Sequence, residues 1–204
     1  MKKRVVYFGF DDKHQKIIDY LYRRHGWEPV FFCCPEKMRT YAKERYPGAV
    51  FQDEMEIRRA CFDYSRIAPP VPVDAKIIEA LSKYESNCLN LLEDTTGWNF
   101  SFAERLQYYY DLLKYWNTLI HRLKPDLFLE TMWPHTVTSY TLYLLCKHFY
   151  SIDVLFVDPM PLLNGHFHVI GNSLEDLSTP FRQSYESDVA FEMGPAGREY
   201  LAWL

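Results

Sequence analysis

The feature that most constrains this chain is an alternation at its amino-terminal end. Short β-rich apolar runs are separated by segments whose apolar residues recur at helical spacing. Arg4-Val-Val-Tyr-Phe-Gly-Phe10 is a strand-sized run closed by a turn. Asp12 with Gln15 three positions on resembles a capping box, and Ile17, Ile18, Leu21 and Tyr22 then follow a helical period until Gly26 stops it. Trp27 to Cys34 reads as a second strand. Pro35 suits the first turn of a second helix reaching about Tyr46, Pro47-Gly48 ends it, and Ala49-Val-Phe51 is a third short strand. A β-α-β-α-β order of this kind predicts a parallel sheet with helices on both faces.

The middle of the chain is helical. After the break at Pro69-Pro-Val-Pro72, Asp74 caps a helix whose apolar stripe is Ile77, Ile78, Leu81, Tyr84, Cys88 and Leu91. Ser101 and Glu104 form a complete S-x-x-E capping box, and Phe102, Leu106, Tyr109, Leu113, Trp116, Ile120 and Leu123 predict one buried stripe on the long helix that follows. The run Tyr108-Tyr-Tyr110 lies on that helix and reads as packing. Leu127-Phe-Leu-Glu130 and Asp153-Val-Leu-Phe-Val157 are buried-strand patterns flanking a helix through Leu142, Leu145, Cys146 and Phe149, so the sheet resumes. The fold class expected is α/β: an open, mainly parallel Rossmann-like sheet flanked by helices, with a helical insertion or crossover layer at about residues 70–123. All 204 residues belong to a single domain. The last stretch, Arg198-Glu-Tyr-Leu-Ala-Trp-Leu204, looks like the start of an amphipathic helix cut short, as if this were the amino-terminal lobe of a longer protein.

Composition excludes several classes of function. The longest apolar runs are strand-sized, far below the roughly 20 residues of a membrane-spanning helix. Four apolar residues after Met-Lys-Lys-Arg are too few for a secretory signal, so a cytoplasmic protein is expected. A formal net charge of -4 leaves no broad cationic footprint for nucleic acid. The five cysteines include no C-x-x-C pair, and read as thiols in a reducing compartment.

In open α/β sheets ligands bind beyond the carboxyl ends of the strands, so the loops after Phe8, Cys34, Leu129 and Val157 are where chemistry is expected. Gly9-Phe-Asp-Asp12 has one glycine and two acids where a dinucleotide fold carries G-x-G-x-x-G. Asp11 and Asp12 therefore read first as helix caps, and second as ligands for sugar hydroxyls or an amine. The loop Glu130-Thr-Met-Trp-Pro-His135 is the strongest candidate. Glu130 ends an apolar strand, where a carboxylate is either hydrogen-bonded or exposed in a cleft. His135 stands at the start of a helix, whose positive end favours the neutral imidazole that a general base requires. Trp133 offers a platform for a sugar ring. The structural reading of the same residues is a cap and a satisfied histidine. From Asp158 to His168, Asp158, Asn164 and His166 are further candidates for binding substrate. His166, His168 and Asp158 together resemble a metal set, but no third ligand is set by spacing, and no metal is expected.

The stretch from Lys124 to Asp176 carries a resemblance. Pro125-Asp126 precedes a strand ending in Glu130. Pro134-His135, a tyrosine-rich helix, a hydrophobic strand and a Pro/Gly/His loop ending in Glu175-Asp176 then follow. This order resembles the amino-terminal lobe of capsule and surface polysaccharide biosynthesis proteins, which are glycosyltransferase-like and of the two-lobed GT-B type. It covers about a quarter of the chain closely. The resemblance implies that His135 and Glu130 are catalytic at an interlobe cleft, with a carbohydrate acceptor as partner. This segment would bind no cofactor itself, and a nucleotide-sugar donor would be held by a carboxy-terminal second lobe that the sequence does not contain. The other function consistent with the same crevice is a non-catalytic module binding a carbohydrate or small metabolite.

Overall fold

The structure, a computed structural model, describes residues 2–96, 100–159 and 167–174, together with Arg198. Its centre is a six-stranded sheet in the order β3-β2-β1-β4-β5-β6. The strands are β1 (Lys3–Phe8), β2 (Trp27–Cys34), β3 (Val50–Asp53), β4 (Leu127–Thr131), β5 (Asp153–Pro159) and β6 (Phe167–Gly171). β1 to β5 are mutually parallel, and β6 closes the far edge antiparallel to β5. This is the expected open Rossmann-like α/β sheet, and the four principal predicted strands are neighbours in it.

The strands read as unbroken apolar runs because both faces are covered. Val6, Phe8, Phe31, Cys33, Phe128 and Phe156 point into one core, while Val5, Tyr7, Phe32, Cys34, Leu127 and Leu129 point into the other. Helices α1 (Gln15–His25) and α2 (Arg39–Arg45) contribute Ile18 and Ala42 to the second core. The first is covered by α4 (Ala75–Leu81), α5 (Glu85–Thr96), α6 (Phe102–Leu123) and α7 (Val137–Leu144), with the short α3 (Glu54–Arg58) at the exit of β3.

Local signals fall where they are expected. Gly26 caps α1 at φ 66°, Asp74 accepts from the Ile77 amide, and Ser101 and Glu104 close a full capping box. Four details differ. The cap before α1 is Asp11, paired reciprocally with His14, rather than Asp12 with Gln15. The helix expected from Asp74 is split into α4 and α5 by a tight turn at Ser82–Tyr84, and Ile78 is exposed. Phe102 is 61% exposed and Leu106 half-buried, so the stripe on α6 begins at Tyr108. The reason is length. At about 1.5 Å per residue α6 spans ~33 Å, about twice the rise of β4 at ~3.3 Å per residue. Because α6 feeds the start of β4, its first turns overshoot the carboxyl edge of the sheet, where nothing from the sheet covers Phe102. Beyond that overhang α6 is buried on more than one face from Tyr108 to Ile120, since it lies between the sheet and α5 and α7. Fourth, β6 has no counterpart among the strands expected. No helix among the described residues is long and apolar enough to cross a membrane. The stretch 199–204 lies outside the described residues.

Candidate functional site

The sheet order reverses between β1 and β4, so the loops leaving these two strands flank the topological switch point where open α/β sheets bind ligands. Gly9 ends β1 with φ 74°, in the left-handed region. A Cβ there would stand 2.6 Å from the Thr131 hydroxyl oxygen, and that hydroxyl donates to the Gly9 carbonyl at 2.9 Å. Glycine is required on both counts. Gly9→Ala is expected to destabilise the fold by about 2 kcal/mol or more, from φ strain plus the clash. Adding Thr131→Ala should recover only the clash in urea unfolding. Recovery to wild-type stability would show that the φ constraint is absent.

Asp11 and Asp12 sit beyond Gly9. Asp11 accepts from the Lys13 amide at 3.1 Å, while its own amide donates to His14 Nδ1 at 2.8 Å. Burial lowers the His14 pKa, in keeping with a ring nitrogen that accepts. Asp12 pairs with Lys37 from the loop after β2, and Lys37 Nζ is also 3.6 Å from Asp11. These acids therefore cap a helix and tie two exit loops together. Lys37 was not expected, because nothing in the local pattern brings a lysine 25 positions away onto Asp12.

The loop after β4 divides its candidates between interior and surface. Glu130 is only 2% exposed, which corrects the expectation of a carboxylate in an open cleft. Its register partner on β1 is Phe8 and on β5 is Phe156, so it occupies the row of the sheet that α6 and α7 cover. Oε2 has no hydrogen-bond partner among the described residues. Burial holds the carboxyl well above the usual carboxylate range. A hydrogen bond from Ser139, in the first turn of α7, opposes this, and the nearby charge of Glu54 adds to it. Glu130 is thus a core carboxyl whose burial favours the protonated form. Cys33, in the same face and row beside Phe8, is pushed up in the same way by burial.

Past Glu130 the backbone turns outward. Met132 adopts φ 72°, donates its amide to the Val157 carbonyl at 2.8 Å and leaves its side chain 49% exposed. A non-glycine residue in the left-handed region at a strand exit marks a constrained loop. Trp133 is half-buried with its ring 5.4 Å from Phe156, so much of it is wall rather than open platform. Pro134 is buried and His135 exposed. His135 Nδ1 lies 2.9 Å from the Trp133 carbonyl. A carbonyl only accepts, so Nδ1 carries the proton and Nε2 is the nitrogen with a lone pair. Thr136 then caps α7, within a buried hydroxyl group that includes Thr138 at 2.7 Å and Ser139. Glu130 and His135 consequently do not share a surface: one faces the core and the other solvent.

Asp158, one residue before the end of β5, is paired in register with His168 of β6. Asn164 and His166 lie outside the described residues. Among the described residues no group of three or more His, Cys, Asp or Glu side chains is placed to hold a metal. A cavity of about 540 Å³ opens at the amino ends of the strands, between Lys3, Trp27, Lys147 and Asp153. A second of about 330 Å³ opens at the exit of β3, and sequence reasoning did not find it. No family model matches the chain, and no curated protein matches it in sequence.

Proposed function

We propose that this chain is the acceptor-side lobe of a glycosyltransferase-like protein of surface polysaccharide biosynthesis, with His135 as the base that activates the acceptor hydroxyl. The observation that carries this reading is the 2.9 Å contact between His135 Nδ1 and the Trp133 carbonyl on an exposed side chain. In the neutral ring that contact commits the Nδ1 proton to the carbonyl, beside the switch point of an open parallel sheet, and leaves Nε2 as the acceptor of an exposed residue. In the reaction, Nε2 takes the proton of an acceptor hydroxyl as that oxygen bonds to the anomeric carbon of the donor, and the nucleotide leaves with the bonding electrons. The donor sugar nucleotide is held by a second lobe. Glu130 has no direct part in this scheme. It is a positioning residue that reaches Ser139 and so steadies the turn from which His135 projects.

A non-catalytic carbohydrate-binding module is the alternative, and the burial of Glu130 favours it, since only one group of the expected pair is left at the surface. The natural full-length protein, offered nucleotide-sugars and a glycan acceptor, is expected to release nucleotide. His135→Ala should slow release by about a hundredfold or more without changing the unfolding midpoint, because the side chain is exposed. Saccharide binding with no release under any donor establishes the module instead. Undiminished release by His135→Ala refutes the assignment of the base.

A further inference from the structure

We infer that the cavity at the exit of β3 is a subsite for a neutral, polyhydroxylated ring, such as a sugar unit of the acceptor lying beyond the one that reacts. Its walls come from three segments: the start of α2, the end of β3 with α3, and the irregular segment 61–63. Arg39 is positioned there by two contacts. Its Nε meets both oxygens of Glu36 at 2.6 and 2.8 Å, and its guanidinium lies 4.6 Å over the Phe51 ring. Gln52, 1% exposed, forms the floor with its amide saturated. Nε2 donates to Glu56 at 2.7 Å and to the Cys61 carbonyl at 3.3 Å, while Oε1 accepts from the Asp63 amide at 2.9 Å and the Tyr115 hydroxyl at 3.2 Å. Ala60 at φ 60° turns the chain so that Cys61, Phe62 and Asp63 close the far wall.

The mixture of charges selects the ligand. A phosphate or carboxylate entering here meets Glu56 and Asp63, while Arg39 is already engaged by Glu36 and lies 3.7 Å from Glu56. A ring bearing vicinal hydroxyls both donates and accepts, so it adds hydrogen bonds to the two carboxylates and the guanidinium beside those they already make with Gln52, Ser65 and Glu36, with Phe62 as an apolar side. At about 330 Å³ the space lies at the small end of ligand pockets, which run from about 300 to 1,000 Å³. It suits one sugar unit rather than a nucleotide. β3 is three strand spacings from β4, roughly 14 Å at ~4.8 Å each. The two exits lie on the same edge of the sheet, so one glycan chain spans them. This link to His135 rests on the acceptor-lobe reading; the chemistry of the cavity does not.

The cavity contains its own reporter. Cys61 is exposed, while Cys33, Cys34, Cys88 and Cys146 are buried. Iodoacetamide should therefore alkylate Cys61 selectively, which peptide mass mapping can follow in the intact chain. Methyl glucoside, methyl galactoside and methyl N-acetylglucosaminide are the probes, with inorganic phosphate and putrescine as charged comparators. At least one glycoside is expected to slow alkylation saturably, by about threefold when its concentration is twice its dissociation constant, and the comparators are expected to have no effect. Asp63→Asn and Arg39→Met should each abolish protection while Cys61 still reacts. The inference is overturned if no glycoside protects, if phosphate or putrescine protects instead, or if protection survives both substitutions. Nucleotide release is read separately, so loss of protection with intact release refutes the subsite alone, and protection without release refutes the catalytic reading alone.

Discussion

Trp116→Ala should lower the free energy of unfolding by about 3–5 kcal/mol, a cost set by lost apolar transfer plus the cavity left behind. Trp116 is fully buried and meets Phe8 and Phe31 edge-on from α6, with ring centroids 6.3 and 6.0 Å away. Its indole N–H also donates to the Thr138 carbonyl at 3.0 Å, so one side chain joins the sheet to the first turn of α7. The large effect follows from that double role. Trp116→Phe keeps most of the apolar bulk and should cost about 1–2 kcal/mol, mainly from the lost indole hydrogen bond to the Thr138 carbonyl. Urea unfolding separates the two variants. Amide exchange at Val137 to Ser139 should accelerate in both, since the turn loses its tether. A loss below about 1 kcal/mol in Trp116→Ala would mean that α6 does not pack on the sheet through this residue.

Glu130→Gln should remove a pH dependence of stability rather than merely shift stability. The folded-state pKa of Glu130 is raised above its unfolded value, first by burial. Below the unfolded value, about 4.3, both states hold the proton and the residue's titration contributes nothing. As pH rises past that value the unfolded chain releases its proton while the folded chain keeps it. Stability then falls by about 1.4 kcal/mol per pH unit until the folded pKa is reached. Glutamine does not titrate, and it still accepts from Ser139. Chemical unfolding of both proteins from pH 4 to pH 8 should therefore show curves that diverge upward through this window, with the glutamine variant losing less stability. Parallel curves would show that Glu130 is ionised in the folded protein, and would return it to the list of candidate bases.

The parts of this protein that its sequence determines are those governed by neighbours within about one turn of chain. Gly26 ends α1 because the left-handed cap costs glycine little, and Ser101 with Glu104 starts α6 because each satisfies the other's free amide. The strands beginning at Lys3, Trp27, Leu127 and Asp153 are recognisable because a strand covered on both faces is apolar at every position. From these elements the parallel sheet follows. The candidate site is only partly determined in this way. His135 and Glu130 are conspicuous as polar residues around a strand exit, but sequence alone does not say which one meets water. The pleat puts Glu130 on the same face as Phe128, and the depth of its burial depends on α6 and α7 lying over that face. Phe102 is the converse case: it shares the period of the buried stripe, yet α6 outruns the sheet and leaves it exposed. Lys37 reaches Asp12, and Arg39, Gln52 and Asp63 converge around one cavity, only because the crossovers bring separate exit loops to the same edge. Contacts of this kind join residues distant in sequence, and no local period encodes them. They exist only once the order of the strands is decided by how the helices bury their apolar faces on the sheet.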